Sequence, residues 1–453
     1  MSHSPPTKIE LIEAGVTTLF GAYVDIHGVP KSKAVPVNHF EDYARGSELY
    51  TVGALEGMGE LGPNEDECVG IPDLDSLTVL PWDNRYAIAA ADLLFDGKPY
   101  DHDSRWVLKR QMQLADKAGY VMNMGVEPEI YVLREVDGDF VPFVAQDLNN
   151  DPTSGYDLEH TMLADHFLAP MVDYINALGW DVYSFDHEGG DGQYEFDFGY
   201  TSALTMADRM IIFRLMAKHV ARTLGCIVSF MPKPWSDAFG SGAHLNVSLA
   251  DKHSGENLFE ANATSTTRAG AGYTDLAYHF TAGVLKHTGA ITAVVCPTTN
   301  SYKRMEPYGR MDEMSWAPVY RAYGHNNRTL IARLPMSRRC LEVRQADSAC
   351  NFYLGTAMVL AAGLEGIRDQ LDPGEAVEYN TYDFTEEQLA ERGVERLPRT
   401  FGQALDAFET SDLAKSVFGE PFHATFLKYK RGEWRDYCLD VSRWERDKYL
   451  QLW

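Results

Sequence analysis

Gly125-Val126-Glu127-Pro128-Glu129-Ile130-Tyr131 places two carboxylates one residue apart in an otherwise apolar run. The run reads as a strand, and residues two apart on a strand project from the same face. Glu127 and Glu129 therefore stand side by side. Two acids held that close repel unless a cation lies between them or one keeps its proton. An isolated pair of this kind is ordinarily an exposed strand edge, and a lone His after a Gly-Ser-Gly turn is ordinarily structural. The joint pattern points elsewhere. His187-Glu188 is followed by Glu195, His244 lies in Gly240-Ser241-Gly242-Ala243-His244, and Glu342 lies in Leu341-Glu342-Val343-Arg344. Oxygen ligands with one imidazole suit Mg²⁺ or Mn²⁺ better than a zinc site built on Cys. The pattern predicts a divalent-metal site that handles phosphates.

The rest of the chain is compatible with an enzyme of this kind. Its 453 residues are too many for one ordinary core, so two domains, or one large domain with an appendage, are expected. Lys and Arg number 40 against 66 Asp and Glu, a formal charge of −26. That balance repels a nucleic-acid backbone or an anionic membrane. Neither is expected as a partner. The six Cys are scattered without a paired framework, which fits reduced thiols and a cytoplasmic location. The first ten residues are polar and carry no apolar signal segment. No run reaches the roughly 18 apolar residues of a membrane span. The longest, Tyr353 to Leu364, reads as a buried helix.

Residues 1–98 read as a small mixed domain. Thr17 to Val24 is a strand, Asp25-Ile26-His27-Gly28 a turn, and Arg85 to Leu94 a further strand. The turn-rich Asp96-Gly97-Lys98-Pro99 is the candidate boundary. A second domain, 99–453, opens with a helix from Ser104. Strands carrying acids then alternate with long helices, of which Leu158 to Leu178 and Ala203 to Leu224 are the clearest. No Gly-x-x-x-x-Gly-Lys loop and no Gly-x-Gly-x-x-Gly turn occurs. Metals and Arg residues must therefore hold the phosphates of any bound nucleotide.

The ordered set Glu127-x-Glu129, Glu188-(x6)-Glu195, Lys233-Pro234, Gly240-Ser241-Gly242-x-His244, Asn300-Ser301-Tyr302-Lys303-Arg304, Arg328 and Glu342-Val343-Arg344 resembles the glutamine synthetase superfamily. The resemblance runs from about residue 10 to the C-terminus. It implies an α+β fold, with a small β-grasp-like N-terminal domain before a large catalytic domain built on a curved antiparallel sheet with helices. It also implies ATP as a substrate and two or three Mg²⁺ or Mn²⁺ ions per site. Carried over by motif, Glu129, Glu188 and Glu195 would hold one ion, and Glu127, His244 and Glu342 the other. Arg304 and Arg344 would lie near glutamate and the transferred phosphate, with Gly240, Tyr156 and Trp316 also on the substrate side. Arg328 and Arg333 would lie near the ATP phosphates, Ser248 and Tyr200 near adenine, and Asn246 would also belong to the ATP site. Arg304, Arg328 and Glu188 would form the catalytic set. The resemblance further implies a homo-oligomer of two stacked six-membered rings, with active sites between neighbouring subunits.

Several positions depart from ammonia-using members. Gly53-Ala54-Leu55-Glu56-Gly57-Met58-Gly59 lacks the Asp of their ammonium-binding segment. Trp316, in Met314-Ser315-Trp316-Ala317-Pro318, stands where they carry a flap Glu. Phe239 opens the Gly240-Ser241-Gly242 turn in place of Asn, and Asn246 replaces a second His. The metal acids are kept and the ammonium pocket is rewritten. This predicts retained activation of glutamate with a changed acceptor amine, which the resemblance implies is methylamine. A true glutamine synthetase and a ligase for longer amines, with Glu56, Glu60 and Asp312 lining an acidic tunnel, remain open. So does a non-catalytic member, although no metal acid is lost. Glu56, Glu60, Asp312 and Glu313 are candidates for the base that deprotonates the amine. Asn380-Thr381-Tyr382-Asp383 resembles the adenylylation loop of some bacterial members, with an ordinary loop Tyr as the alternative.

Overall fold

The computed structural model describes residues 5–144, 155–262, 271–307 and 315–452. Asp312 and Glu313, two of the candidate bases, lie outside the described residues. The fold is α+β, as expected, and its main sheet grows from one long strand, Tyr120–Val136. The path runs Val182–His187, Gln193–Phe198, Tyr120–Val136, Ala243–Asp251, Leu341–Val343, Leu330–Arg333, Tyr320–Gly324 and Glu395–Arg396. Pairing along it is antiparallel, except that Tyr320–Gly324 runs parallel to Leu330–Arg333. Pro128 would interrupt a central ladder because it has no N–H. It sits where the long strand changes partners: Ala243 is its partner on one side, and pairing to Gln193–Phe198 begins at Glu129.

Helices back this sheet. Ser104–Lys117 starts on Asp103, whose side chain accepts from the Arg105 amide, and buries Val107, Leu108 and Ala115. Phe352–Arg368 is buried along nearly its whole length, as its apolar sequence predicts. Ala203–Thr223 packs beside them. The single helix expected over Leu158 to Leu178 is two, Leu158–Leu163 and Asp165–Ala177, broken at Ala164. The first aims His160 at Tyr194, and the second buries Phe167, Leu168, Met171 and Ile175.

The N-terminal sheet centres on a parallel pair, Thr18–Val24 with Tyr86–Phe95. Cys68–Pro72 and Ala34–Pro36 flank it antiparallel. Two small apolar clusters, one around Leu11, Leu19 and Tyr43 and one around Tyr23, Val52 and Leu93, make its core. Asp96 and Gly97, both at positive φ, close a hairpin whose return strand, Lys98–Pro99, still pairs with Leu94 and Phe95. The first sheet therefore runs through Pro99. It is tied to the rest by Arg105, whose guanidinium reaches Asp92 and Asp73 of the N-terminal part (2.7 Å each) and Asp208 on the Ala203–Thr223 helix (3.0 Å). No helix among the described residues is long and apolar enough to cross a membrane. Cys68, Cys226, Cys296, Cys340 and Cys350 are buried free thiols.

Candidate active site

Strand register brings the acids together. Glu127 lies directly opposite His244, and Glu129 directly opposite Glu195. Glu342 lies opposite Asn246 on one side and Arg333 on the other. Directly opposed residues share a face with their Cβ atoms about 5 Å apart. Glu188 leaves the end of Val182–His187 and returns over Glu129, with its amide bonded to the Gln193 carbonyl. Ligand atoms of Glu129, Glu188 and Glu195 lie within 4.8 Å of one another, and those of Glu127, Glu195 and His244 do likewise. Glu195 belongs to both sets.

Glu342 stands beside the second set, 3.9 Å from His244 Nδ1. Its carboxylate is ion-paired with Arg344 and, at 2.6 Å, with Arg333. Arg338 pairs with Glu127 at 2.6 Å. Gly242 explains how closely these groups approach. A Cβ there would lie 2.7 Å from Arg304 Nη2, 2.8 Å from Glu129 Oε1 and 2.9 Å from His244 Nε2. Gly240 is similarly pressed against the Arg304 side chain.

The crowding shows in proton affinities. Burial, Glu129 and Asp186 push Glu188 up to about 8. Burial and the neighbouring Glu127, Glu129 and Glu188 push Glu195 well above the ordinary carboxylate range. Burial and Glu127 raise Asp197 to about 7. Burial also acts on Glu342, but Arg344, His244 and Arg333 overcome it and hold that acid near 2. Carboxylates that share a pocket and keep protons are the donor set a hard divalent cation would satisfy. The residues present therefore fit Mg²⁺ or Mn²⁺. His160, His187 and Asp191 form a further group behind Glu188. The two imidazoles stack at 3.7 Å and 20°. Parallel rings do not aim their nitrogens at one point, so this pair reads as packing under the strand end.

These groups line a cleft of about 670 Å³. Arg304, Arg328, Arg333, Arg344, Gly240, Tyr156 and Trp316 are all on its walls. Arg304 is held by the Gln345 and Arg344 carbonyls at 3.0 and 3.2 Å. Tyr156 and Trp316 stand at the mouth, 75% and 51% exposed, both at positive φ. Asn246 and Ser248 continue along the face of the strand that carries His244 but do not line the cleft. Tyr200 joins them, since Tyr200 and Asn246 face each other across Gly125. Glu56 and Glu60 lie away from the cleft, in a recess against the Glu420–Leu439 helix. Tyr382 is buried, and its hydroxyl donates to the Ala317 carbonyl at 3.0 Å.

Sequence reasoning missed several residues of the site. Gln193 donates to Glu129 at 3.1 Å and to the Gly240 carbonyl at 3.1 Å. Gln193 and Asp197 flank Glu195 at two-residue spacing, so strand alternation could have found them. Ser348 ties the carbonyls of Glu129 and Gly242 together at 2.7 and 2.9 Å. Nothing in the local pattern marks Ser348 or Arg338.

The chain belongs to the glutamine synthetase family: residues 101–449 match the family's catalytic domain. Among similar proteins is the glutamate–methylamine ligase of Methyloversatilis universalis, 38% identical over 98% of each chain. The glutamine synthetase of Rhizobium leguminosarum bv. phaseoli is 33% identical over 95% of this chain and 96% of its own. The fold is similar to that of a solved GmaS/ADP complex, with a TM-score of 0.89 and 33% identity over 99% of this chain and all of that one.

Proposed function

We propose that this chain is an ATP-dependent ligase joining L-glutamate to methylamine, giving γ-glutamylmethylamide, ADP and phosphate. The observation that carries the reading is the cleft itself. Six metal-type ligands and five arginines converge there, and an exposed Trp stands where ammonia-using relatives carry an acid. The likeness to a glutamate–methylamine ligase over the whole chain supports it.

Glu129, Glu188 and Glu195 would hold one cation, and Glu127, His244 and Glu342 a second, with Glu195 between them. Bound there, two or three Mg²⁺ or Mn²⁺ ions would neutralise phosphate charge during phosphoryl transfer. Arg328 and Arg333 hold the phosphates of ATP, while Tyr200, Asn246 and Ser248 border its adenine. Arg304 and Arg344 present planar forks to glutamate, with Gly240 leaving space beside them. A γ-carboxylate oxygen of glutamate attacks the γ-phosphorus and expels ADP. The free amine then attacks the γ-acyl carbon of γ-glutamyl phosphate, and phosphate leaves. Tyr156 and Trp316 restrict water at the mouth, and the Trp316 ring face attracts methylammonium before it loses its proton.

Glu56 and Glu60, remote from the cleft of their own chain, support a homo-oligomer in which a neighbouring subunit completes each site. The buried free thiols support action in the cytoplasm. The test is product identification. Glutamate, ATP, Mg²⁺ and methylamine should yield a product heavier than glutamine by one CH₂, dependent on all four. Glutamine as the only amide formed, with ammonia present, would favour a glutamine synthetase. No ADP release with any amine would favour a non-catalytic member.

A further inference from the structure

Trp316 is a wall shared by two cavities. It lines the metal cleft. It also lines a recess of about 430 Å³, together with Asn326, Arg328, Glu378, Tyr379 and Tyr382 among others. Arg328 also lines both spaces, so the two adjoin at Trp316 and Arg328.

The recess is preformed. Asn327 Nδ2 donates to the Val377 and Tyr379 carbonyls at 3.0 and 2.9 Å. Thr381 and Thr329 bond through their hydroxyls at 2.7 Å. The position of the partition is fixed too. Tyr382 holds the Ala317 carbonyl, and the Leu397 amide holds the Val319 carbonyl at 2.9 Å. Trp316 itself has φ +54°, a conformation bulky residues rarely adopt. Such residues persist where the surroundings over-determine them, and they cluster at functional sites.

We propose that this recess is a closed-off annex of the acceptor-amine site, and that the Trp316 indole is the residue that limits acceptor length. With the indole in place, an amine at the cleft meets a wall. Without it, the alkyl chain of a linear primary amine extends past Arg328 towards Tyr379. The proposal rests on the amine-ligase reading above and adds the residue that sets its substrate range.

The test is the ratio of kcat/KM for n-butylamine to that for methylamine. Trp316→Gly removes the wall and suits the positive φ. Each methylene moved from water into apolar contact is worth roughly fourfold, so three give on the order of 50-fold. The expected rise is tenfold or more. A smaller rise overturns the proposal. Asn326→Trp in the Trp316→Gly background refills the recess from its far side and should return the ratio towards wild type. A gain that survives this second change also overturns it. If Trp316→Gly turns over neither amine, Trp316→Leu carries the same thresholds. Wild-type turnover of methylamine reads the proposed activity separately. If the wild type uses ammonia alone, that activity falls, and the ratio taken against ammonia still reads the annex.

Discussion

Glu127 and His244 stand directly opposite one another on adjacent strands, with His244 Nδ1 3.3 Å from Glu127 Oε2. The contact places an imidazole against a carboxylate in a site already rich in acids. Both residues are buried. Any change in the small residues beside this pair should therefore be felt by the whole site.

Gly242→Ala is the sharpest form of that expectation. The added methyl meets Arg304, Glu129 and His244 at under 3.0 Å. Displacing reacting groups by about an ångström costs on the order of 10²-fold in rate. A loss of that size is expected with little change in Tm. Turnover within threefold of wild type would show that the three groups do not act together.

Glu188 gives a pH dependence. Its folded-state value is raised to about 8 by burial, Glu129 and Asp186, from about 4.5. The folded form thus favours the proton. This contribution is fully favourable below the unfolded value and is lost as pH rises towards 8. Metal-free protein should lose stability between about pH 5 and 8 relative to Glu188→Gln, and added Mg²⁺ should flatten the difference. Parallel stability curves for the two proteins without metal would contradict this.

Arg344→Lys keeps the charge and loses the fork. Arg344 pairs with the Glu342 carboxylate and lines the cleft. Lys offers a point charge with no planar two-donor contact. The expected result is a raised KM for glutamate, with ATP affinity less affected. Unchanged glutamate kinetics would remove Arg344 from the substrate side.

Arg105→Met concerns the fold. It leaves Asp73, Asp92 and Asp208 facing an empty position that Arg105 now fills with 3% of its side chain exposed. Removing one partner of a buried ionic cluster costs about 3–5 kcal/mol. Denaturant unfolding should show that loss. A change under about 1 kcal/mol would mean that solvent compensates the acids.

Much of the site was legible because strand alternation converts spacing into facing. Glu127-x-Glu129 needed only the two-residue period of a strand. The partners of those acids needed register, which no local pattern gives. The joint motif set supplied them through the resemblance. Arg338 and Ser348 escaped because each acts through a contact far along the chain, Glu127 for one and the Glu129 carbonyl for the other. The break at Ala164 escaped too. Helical periodicity runs through Leu158 to Leu178, and no local signal marks Ala164. The adenine side was the least legible, since Tyr200 meets Asn246 only through the closeness that Gly125 allows.

The central claim is that this cleft activates glutamate with ATP and passes it to methylamine. The most direct measurement is kcat/KM for methylamine against ammonia in the wild-type enzyme, with glutamate, ATP and Mg²⁺ saturating. One methyl group in an apolar pocket is worth about 10–200-fold. Methylamine should lead by a factor in that range, with ammonia still detectable, and Trp316→Glu should shift the ratio towards ammonia. A wild type that prefers ammonia would contradict the account.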